Sequence, residues 1–174
     1  TDLVRKGDLR VLQTLRLNNV NVPDHTWEPL LNELTEVASV RTLCAADTRF
    51  GFRSQSHFAA LGRLLSKAFL TRLDLSGNFL RHEGCEKLGK ALAESDHLVD
   101  LDLSHNAGDP LDVTPADKEL KDAAIFTPLL HICEGLSRNT VLENLSLEHC
   151  SLGYAADFLL GEAIARHPNL RRVD

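Results

Sequence analysis

The 174-residue chain contains no methionine and no apolar run that approaches the roughly 20 residues of a membrane-spanning helix. Basic residues are also in the minority, with 19 Lys and Arg against 25 Asp and Glu and a formal net charge of -6. This balance argues against nucleic acid or an anionic membrane as the partner. Hydrophobic content of 43% and charged content of 25% are typical of a globular domain with a sizeable core.

Motifs that carry catalytic or cofactor chemistry are missing as well. The sequence has no P-loop, HExxH, GxSxG or GxGxxG pattern, so we predict no catalytic residue and no cofactor. Its four cysteines form no CxxC pair, which favours reduced, buried thiols in a cytosolic protein. His131 and Cys133 are two residues apart and diverge on a helix, so no metal site is predicted.

What the sequence does contain is a recurring leucine pattern. Residues 70–80 read LxxLxLxxNxL, further clear copies begin at 98 and 142, less complete ones at 12 and 40, and a truncated one at 170. Successive starts are therefore 28, 30, 28, 44 and 28 residues apart. Leu73 and Leu75 are two apart, so a short strand directs both to one face. Asn78 follows, where a side-chain amide can bond backbone groups in a turn.

Between the strands, apolar residues recur at helical spacing and in a constant register. Trp27, Leu30 and Leu34 precede the start at 40 by the same distances at which Cys85, Leu88 and Leu92 precede the start at 98. Asp24 or Thr26 is the expected N-cap of the first helix. Each unit is therefore predicted to be a strand, a turn and a helix of about three turns, at roughly 3.6 residues per turn.

These motifs resemble the ribonuclease-inhibitor-like class of leucine-rich repeats, over almost the whole chain. The resemblance implies an α/β solenoid, or horseshoe, with a parallel concave sheet, convex α-helices and 28-residue repeats. We expect one domain over 1–174, and because the chain stops within the strand at Leu170–Asp174, a fragment of a longer protein. The stretches Leu17–Pro23 and Asp47–Arg49 are also similar to the C-terminal domain of tropomodulins, which cap actin filaments.

Two surfaces are candidates for partner binding. Residues flanking the strand leucines point away from the core, which brings Asp74, Asp100 and Asp102 together with only Arg72 to offset them, and Glu148 follows a later strand. The fourth unit carries an insertion at 107–122 that includes Asp109, Asp112 and Asp117. An acidic patch would receive Lys or Arg from a protein partner, whereas solvated carboxylates and a tolerated loop are the simpler interpretations.

The sequence thus favours a non-catalytic protein-interaction scaffold, cytoplasmic or cytoskeletal in location, that binds through the concave sheet, the insertion or both. A regulatory domain acting on a small GTPase is the alternative from another class. In that case an arginine after a strand, Arg49, Arg53 or Arg81, would stabilise charge on the transferring phosphoryl group. An actin-binding or other cytoskeletal module is a further alternative that the tropomodulin resemblance implies.

Overall fold

A computed structural model describes residues 11–51, 56–106, 129–150, 152 and 154–174. The predicted insertion at 107–122, with Asp109, Asp112 and Asp117, lies outside the described residues, and so does Arg53. None of the helices within the described ranges is long and apolar enough to cross a membrane.

Six short strands and five helices alternate along the described residues. The strands pair in parallel in the order of the sequence and form one sheet, β1-β2-β3-β4-β5-β6. The elements are β1 (Thr14–Arg16), α1 (Asp24–Thr35), β2 (Thr42–Cys44), α2 (Phe58–Lys67), β3 (Arg72–Asp74), α3 (His82–Glu94), β4 (Asp100–Asp102), α4 (Leu130–Leu136), β5 (Asn144–Ser146), α5 (Tyr154–Arg166) and β6 (Arg172–Val173). The predicted α/β leucine-rich repeat solenoid is therefore confirmed.

The strand leucines form one inward column. Leu15 pairs with Leu43, Leu43 with Leu73, Leu73 with Leu101 and Leu101 with Leu145. Leu73 is 0% exposed and Leu101 and Leu145 are each 2% exposed. The helices cover this column from one side, because residues such as Trp27 and Leu88, both at most 1% exposed, pack into the same core. The inward register that the leucine pattern predicted is confirmed.

A second column lies in the turn after each strand and ties neighbouring repeats together. Asn78 donates from Nδ2 to the carbonyl of Ala45 at 2.7 Å, and its Oδ1 accepts from the backbone N–H of Phe50 at 2.8 Å. Asn106 donates to the carbonyl of Leu75 at 2.8 Å, and the Cys150 thiol donates to the carbonyl of Leu103 at 3.0 Å. Buried polar groups that bond backbone of the preceding repeat satisfy carbonyls that the short strands leave unpaired.

The helices stack side by side, and α3 and α4 approach most closely through glycine. A Cβ atom added at Gly89 would overlap the backbone carbonyl of His131, and one added at Gly135 would overlap the carbonyl of Gly89. In contrast, a Cβ at Gly62 on α2 would meet only the Cβ of Ala91, at 3.6 Å. Only a residue without a side chain lets two helix backbones touch in this way, so Gly89 and Gly135 set the α3–α4 distance.

The sequence expectation about the start of the first helix is wrong. Helix α1 begins at Asp24 with Pro23 at its N-cap and no side-chain cap, so neither Asp24 nor Thr26 caps it. Val20, which takes the position after β1 that Asn78 takes after β3, is 46% exposed, and Ile164 in α5 is 41% exposed. Both lie in terminal units, which have a neighbouring repeat on only one side among the described residues.

Candidate functional site

The side chains that flank the inward leucines form polar columns on the face of the sheet opposite the helices. Strand register places Arg72 beside Asp100, and Asp74 beside Asp102. On the other side of β4, Asp100 lies beside Asn144. The three aspartates singled out in the sequence therefore occupy adjacent strands, with Asp74 and Asp102 directly opposite each other.

A groove of about 600 Å³ runs over β3 to β6 on this face. Polar and charged side chains dominate its lining, which comprises Arg72, Ser76, Asp100, Asp102, Ser104, His105, Asn144, Ser146, Glu148, Arg172 and Asp174 together with the strand leucines Leu73, Leu101 and Leu145. Asp74 does not line the groove, although Asp100, Asp102 and Glu148 do. The groove is thus displaced toward β5 and β6 relative to the patch that the sequence suggested.

Each aspartate of the predicted patch uses one carboxylate oxygen locally. Oδ1 of Asp102 accepts from the backbone N–H of Ser104 at 2.9 Å, and Oδ1 of Asp74 accepts from the backbone N–H of Ser76 at 3.0 Å. Oδ1 of Asp100 accepts from the Asn144 side chain. In the part of the chain that the structure describes, the Oδ2 atoms have no such donor. The local bonds orient the carboxylates, and their second oxygens remain available to a ligand.

Charge in the groove is negative but not uniform. Four carboxylates (Asp100, Asp102, Glu148, Asp174) face two guanidinium groups (Arg72, Arg172), a formal balance of -2 with histidine neutral. One of those cations is already engaged, because Arg172 Nε lies 2.7 Å from Asp174 Oδ2. The sequence analysis did not select Arg172 and Asp174 as site residues, although both occupy the same strand slots as Arg72 and Asp74.

Two histidines extend the site beyond the strand ends, and the sequence analysis missed this pair. The rings of His105 and His149 stack with centroids 4.8 Å apart and 23° between their planes. Both residues have left-handed backbone, with φ of 57° and 56°, in the same turn position of successive repeats. His149 Nε2 lies 3.3 Å from Glu148 Oε1, and both of these side chains are well exposed. Their common spacing from the strand leucines is the signal that could have revealed the stack.

The thiols do not supply a nucleophile. All four cysteines are free and buried. Burial raises the pKa of Cys133 to about 11. Burial, followed by the nearby Asp74 carboxylate, raises the pKa of Cys44, and burial raises that of Cys150. These three thiols stay protonated near neutral pH, in which form they are poor nucleophiles and poor metal ligands.

Two of the three arginines considered for a regulatory role, Arg49 and Arg81, lie in the described residues. Arg49 and Arg81 are exposed residues that follow β2 and β3, and Arg49 has left-handed backbone with φ of 61°. Arg81 occupies the N-cap position of α3. Neither lines the groove over β3 to β6. Within the described ranges, no three His, Cys, Asp or Glu side chains converge in a way that could hold a metal ion.

Solved structures provide the comparison with known proteins. No protein-family model matches the chain, and no curated protein matches it. Leiomodin-1 actin-binding site 2 superposes with a TM-score of 0.66 at 18% identity, covering 92% of this chain and 83% of the other. The C-terminal domain of Caenorhabditis elegans tropomodulin superposes with a TM-score of 0.64 at 18% identity, covering 92% of this chain and 89% of the other. The chain is therefore similar in fold to the leucine-rich repeat domains of tropomodulin and leiomodin.

Proposed function

We propose that this chain is a non-catalytic protein-interaction module whose sheet groove binds a Lys- or Arg-bearing segment of a partner protein. The observation that carries the proposal is the groove itself, which is open, polar and lined by Asp100 and Asp102 with their Oδ2 atoms free of hydrogen bonds among the described residues. A lysine or arginine placed there gains charge-assisted hydrogen bonds.

The arrangement of charge explains why a basic group is the expected ligand. Asp100, Asp102, Glu148 and Asp174 line the same groove, and like charges this close repel one another. Arg72 offsets part of this repulsion beside Asp100, while Arg172 is held by Asp174. A partner cation therefore relieves repulsion that the free protein carries, and the gain appears as binding energy.

The partner is expected to be a protein segment because of the shape and periodicity of the site. Neighbouring strands lie about 4.8 Å apart, so equivalent side chains form an evenly spaced array. Solenoids use such extended faces for protein recognition. Asp109, Asp112 and Asp117 of the insertion, which lie outside the described residues, stay a predicted second contact. Cytoplasmic or cytoskeletal location belongs to the same proposal.

The test compares the wild-type protein with variants that remove carboxylates inside and outside the groove. Wild type, Asp100→Asn/Asp102→Asn and Asp74→Asn are used to capture partners, and each captured partner is then titrated at low and moderate salt. Asp74→Asn is the matched control, because it removes a carboxylate with the same serine contact from a strand position that does not line the groove. The double variant should weaken binding and flatten its salt dependence.

One result would contradict the groove proposal directly. If the double variant binds the captured partner with wild-type affinity and wild-type salt dependence, the groove carboxylates do not contact that partner. Equal losses for Asp74→Asn and the double variant would assign the effect to general surface charge instead.

Actin is a specific second candidate, favoured by the superposition on leiomodin-1 actin-binding site 2. Co-sedimentation with filamentous actin and a titration against monomeric actin test this candidate. Loss of binding in the double groove variant would indicate that actin binds through the groove. Absence of binding to both forms of actin would remove this candidate. Action on a small GTPase through Arg49 or Arg81 stays a prediction, which a GTP hydrolysis assay with Arg49→Ala and Arg81→Ala would test.

A further inference from the structure

Two histidines that are 49 residues apart in the sequence meet on the helical side of the solenoid. His82 opens α3 and His131 lies in the first turn of α4, and their Nε2 atoms are 3.4 Å apart. The rings are nearly perpendicular, with centroids 4.7 Å apart and 78° between their planes. Two imidazole nitrogens thus point at one location from two separate helices.

The distance suits a shared metal ion better than a direct hydrogen bond. N–H···N and N–H···O bonds are usually about 2.9–3.0 Å long. Zinc binds imidazole nitrogen at about 2.0–2.1 Å, and tetrahedral geometry then places two such nitrogens about 3.4 Å apart. The observed Nε2–Nε2 separation of 3.4 Å equals that spacing.

A carboxylate orients one of the two rings in the manner usual for metal ligands. His131 Nδ1 lies 3.1 Å from Glu134 Oε2, one turn further along α4. In the tautomer with the proton on Nδ1, His131 donates to this carboxylate and its Nε2 lone pair faces His82. Metal-bound histidines commonly donate their second N–H to a carboxylate, which fixes the tautomer and strengthens the ligand.

Close packing of the backbones holds the pair in place. Gly89 lies against the carbonyl of His131, and Gly135 lies against the carbonyl of Gly89, so α3 and α4 have little freedom to separate. Beside this pair, a cleft of about 160 Å³ between the two helices is lined by His131, Glu86 and Glu134 and by two basic side chains, Lys90 and Arg138. Glu86, one turn after His82, pairs with Lys90 at 2.5 Å and is the further carboxylate that α3 contributes to this cleft.

We propose that His82 and His131 together bind a late first-row divalent ion, with Zn²⁺ as the type case, through their Nε2 atoms. The protein supplies two ligands, and water or a rotated Glu86 completes the coordination, because no third His, Cys, Asp or Glu converges there in the described residues. The ion would connect α3 to α4 and so tie together the third and fourth repeats. This binding is independent of the sheet groove and of its proposed partner.

The other histidine pair provides a matched control. His105 and His149 are stacked with only 23° between their planes, so their in-plane lone pairs lie in two nearly parallel planes and do not converge on one ion. A substitution of His149 removes an imidazole from a pair with similar ring separation, in the turns that follow the strands. It should leave metal binding unchanged.

The experiment uses chelator-treated protein without a polyhistidine tag, titrated with ZnCl2 by calorimetry and followed by thermal unfolding. Wild type should bind one zinc ion and gain at least about 2 °C in Tm at saturation, whereas MgCl2, a hard cation that prefers oxygen ligands, should have no effect. His82→Gln and His131→Gln should each lower the zinc affinity at least about tenfold, and Glu134→Gln should lower it less.

Far-UV circular dichroism of each variant without metal shows whether the fold is intact. The proposal is overturned if wild type shows neither zinc binding nor a zinc-dependent rise in Tm. It is also overturned if folded His82→Gln and His131→Gln proteins keep wild-type zinc affinity, or if His149→Gln loses as much affinity as they do.

Discussion

The same repeat position contributes differently to stability in the middle of the solenoid and at its ends. Leu73 and Leu101 are 0% and 2% exposed between neighbouring repeats, whereas Leu15 in the same slot of the first strand is only partly buried. The sequence pattern places all three leucines in the same inward strand position. Their burial differs because each repeat covers the next, and among the described residues β1 has a neighbouring strand on one side only.

Glycines in the helices show the same contrast. Gly89 in α3 faces a backbone carbonyl of α4, and no side chain fits there. A Cβ atom added at Gly161 in α5, at the C-terminal end of the solenoid, would meet no atom of a neighbouring element within 4 Å among the described residues. Both residues look like weak points of a helix in the sequence, but only Gly89 is required by packing.

The largest expected effect comes from the core leucines. Leu101→Ala should lower the free energy of unfolding by about 2–5 kcal/mol, because it leaves a cavity in a closely packed core. Leu15→Ala should cost less than half as much, since its side chain is partly hydrated in the folded state. Urea unfolding of both variants measures the difference, and equal losses would remove the distinction between middle and end.

Two glycine substitutions, with opposite expected effects on the free energy of unfolding, test the same distinction between the middle and the end of the solenoid. Gly89→Ala should cost about 1–3 kcal/mol, because the new methyl group forces α3 away from α4. Gly161→Ala should raise the free energy of unfolding by about 0.5–1 kcal/mol, because alanine restricts the unfolded chain and meets no obstacle. Thermal unfolding compares the two, and a stabilised Gly89→Ala protein would contradict the close approach of the helices.

A buried histidine makes the N-terminal repeats sensitive to pH. His57 packs against Phe50 at 4.3 Å between ring centroids and neither ring nitrogen has a partner in the described residues. Burial lowers the pKa of His57 below its usual value of 6.5, so the folded protein binds this proton less readily than the unfolded chain. This contribution to stability is present above pH 6.5 and is lost as the pH falls below it.

The corresponding measurement is the urea midpoint between pH 7.5 and 5. His57→Phe should reduce the loss of stability at the acid end, while the exposed His25→Gln should leave the pH profile unchanged. Identical profiles for wild type and His57→Phe would show that protonation of His57 does not limit stability in acid.

The smallest expected effect on stability concerns the sheet face. Asp74→Asn/Asp100→Asn/Asp102→Asn should leave the unfolding free energy unchanged or raise it by up to about 1 kcal/mol, because it removes like charges on adjacent strands. The asparagine Oδ1 atoms at positions 74 and 102 still accept the serine N–H bonds, and the one at position 100 still accepts from the Asn144 side chain. A marked drop in Tm would instead show that the carboxylates hold the turns together.

The features best predicted from the sequence are those that depend on the spacing of a few neighbouring residues. The inward strand slot of Leu73 and Leu101 and the turn slot of Asn78 follow from local spacing, and the structure confirms both. Helix ends were less predictable, since Pro23 rather than Asp24 or Thr26 occupies the first N-cap. The groove could be located only in part, because its boundary excludes Asp74 and includes Arg172 and Asp174.

The sequence by itself determined the repeat and the polarity of each strand position, because side chains alternate between two faces within a few residues. Its resemblance to leucine-rich repeats implied the parallel sheet. The tertiary structure alone decided the α3–α4 contact at Gly89 and the meeting of His82 with His131. Those features depend on the distance and rotation between two helices that are separated by a strand and an insertion. No local spacing encodes that geometry, and only the packed solenoid brings the two imidazoles together.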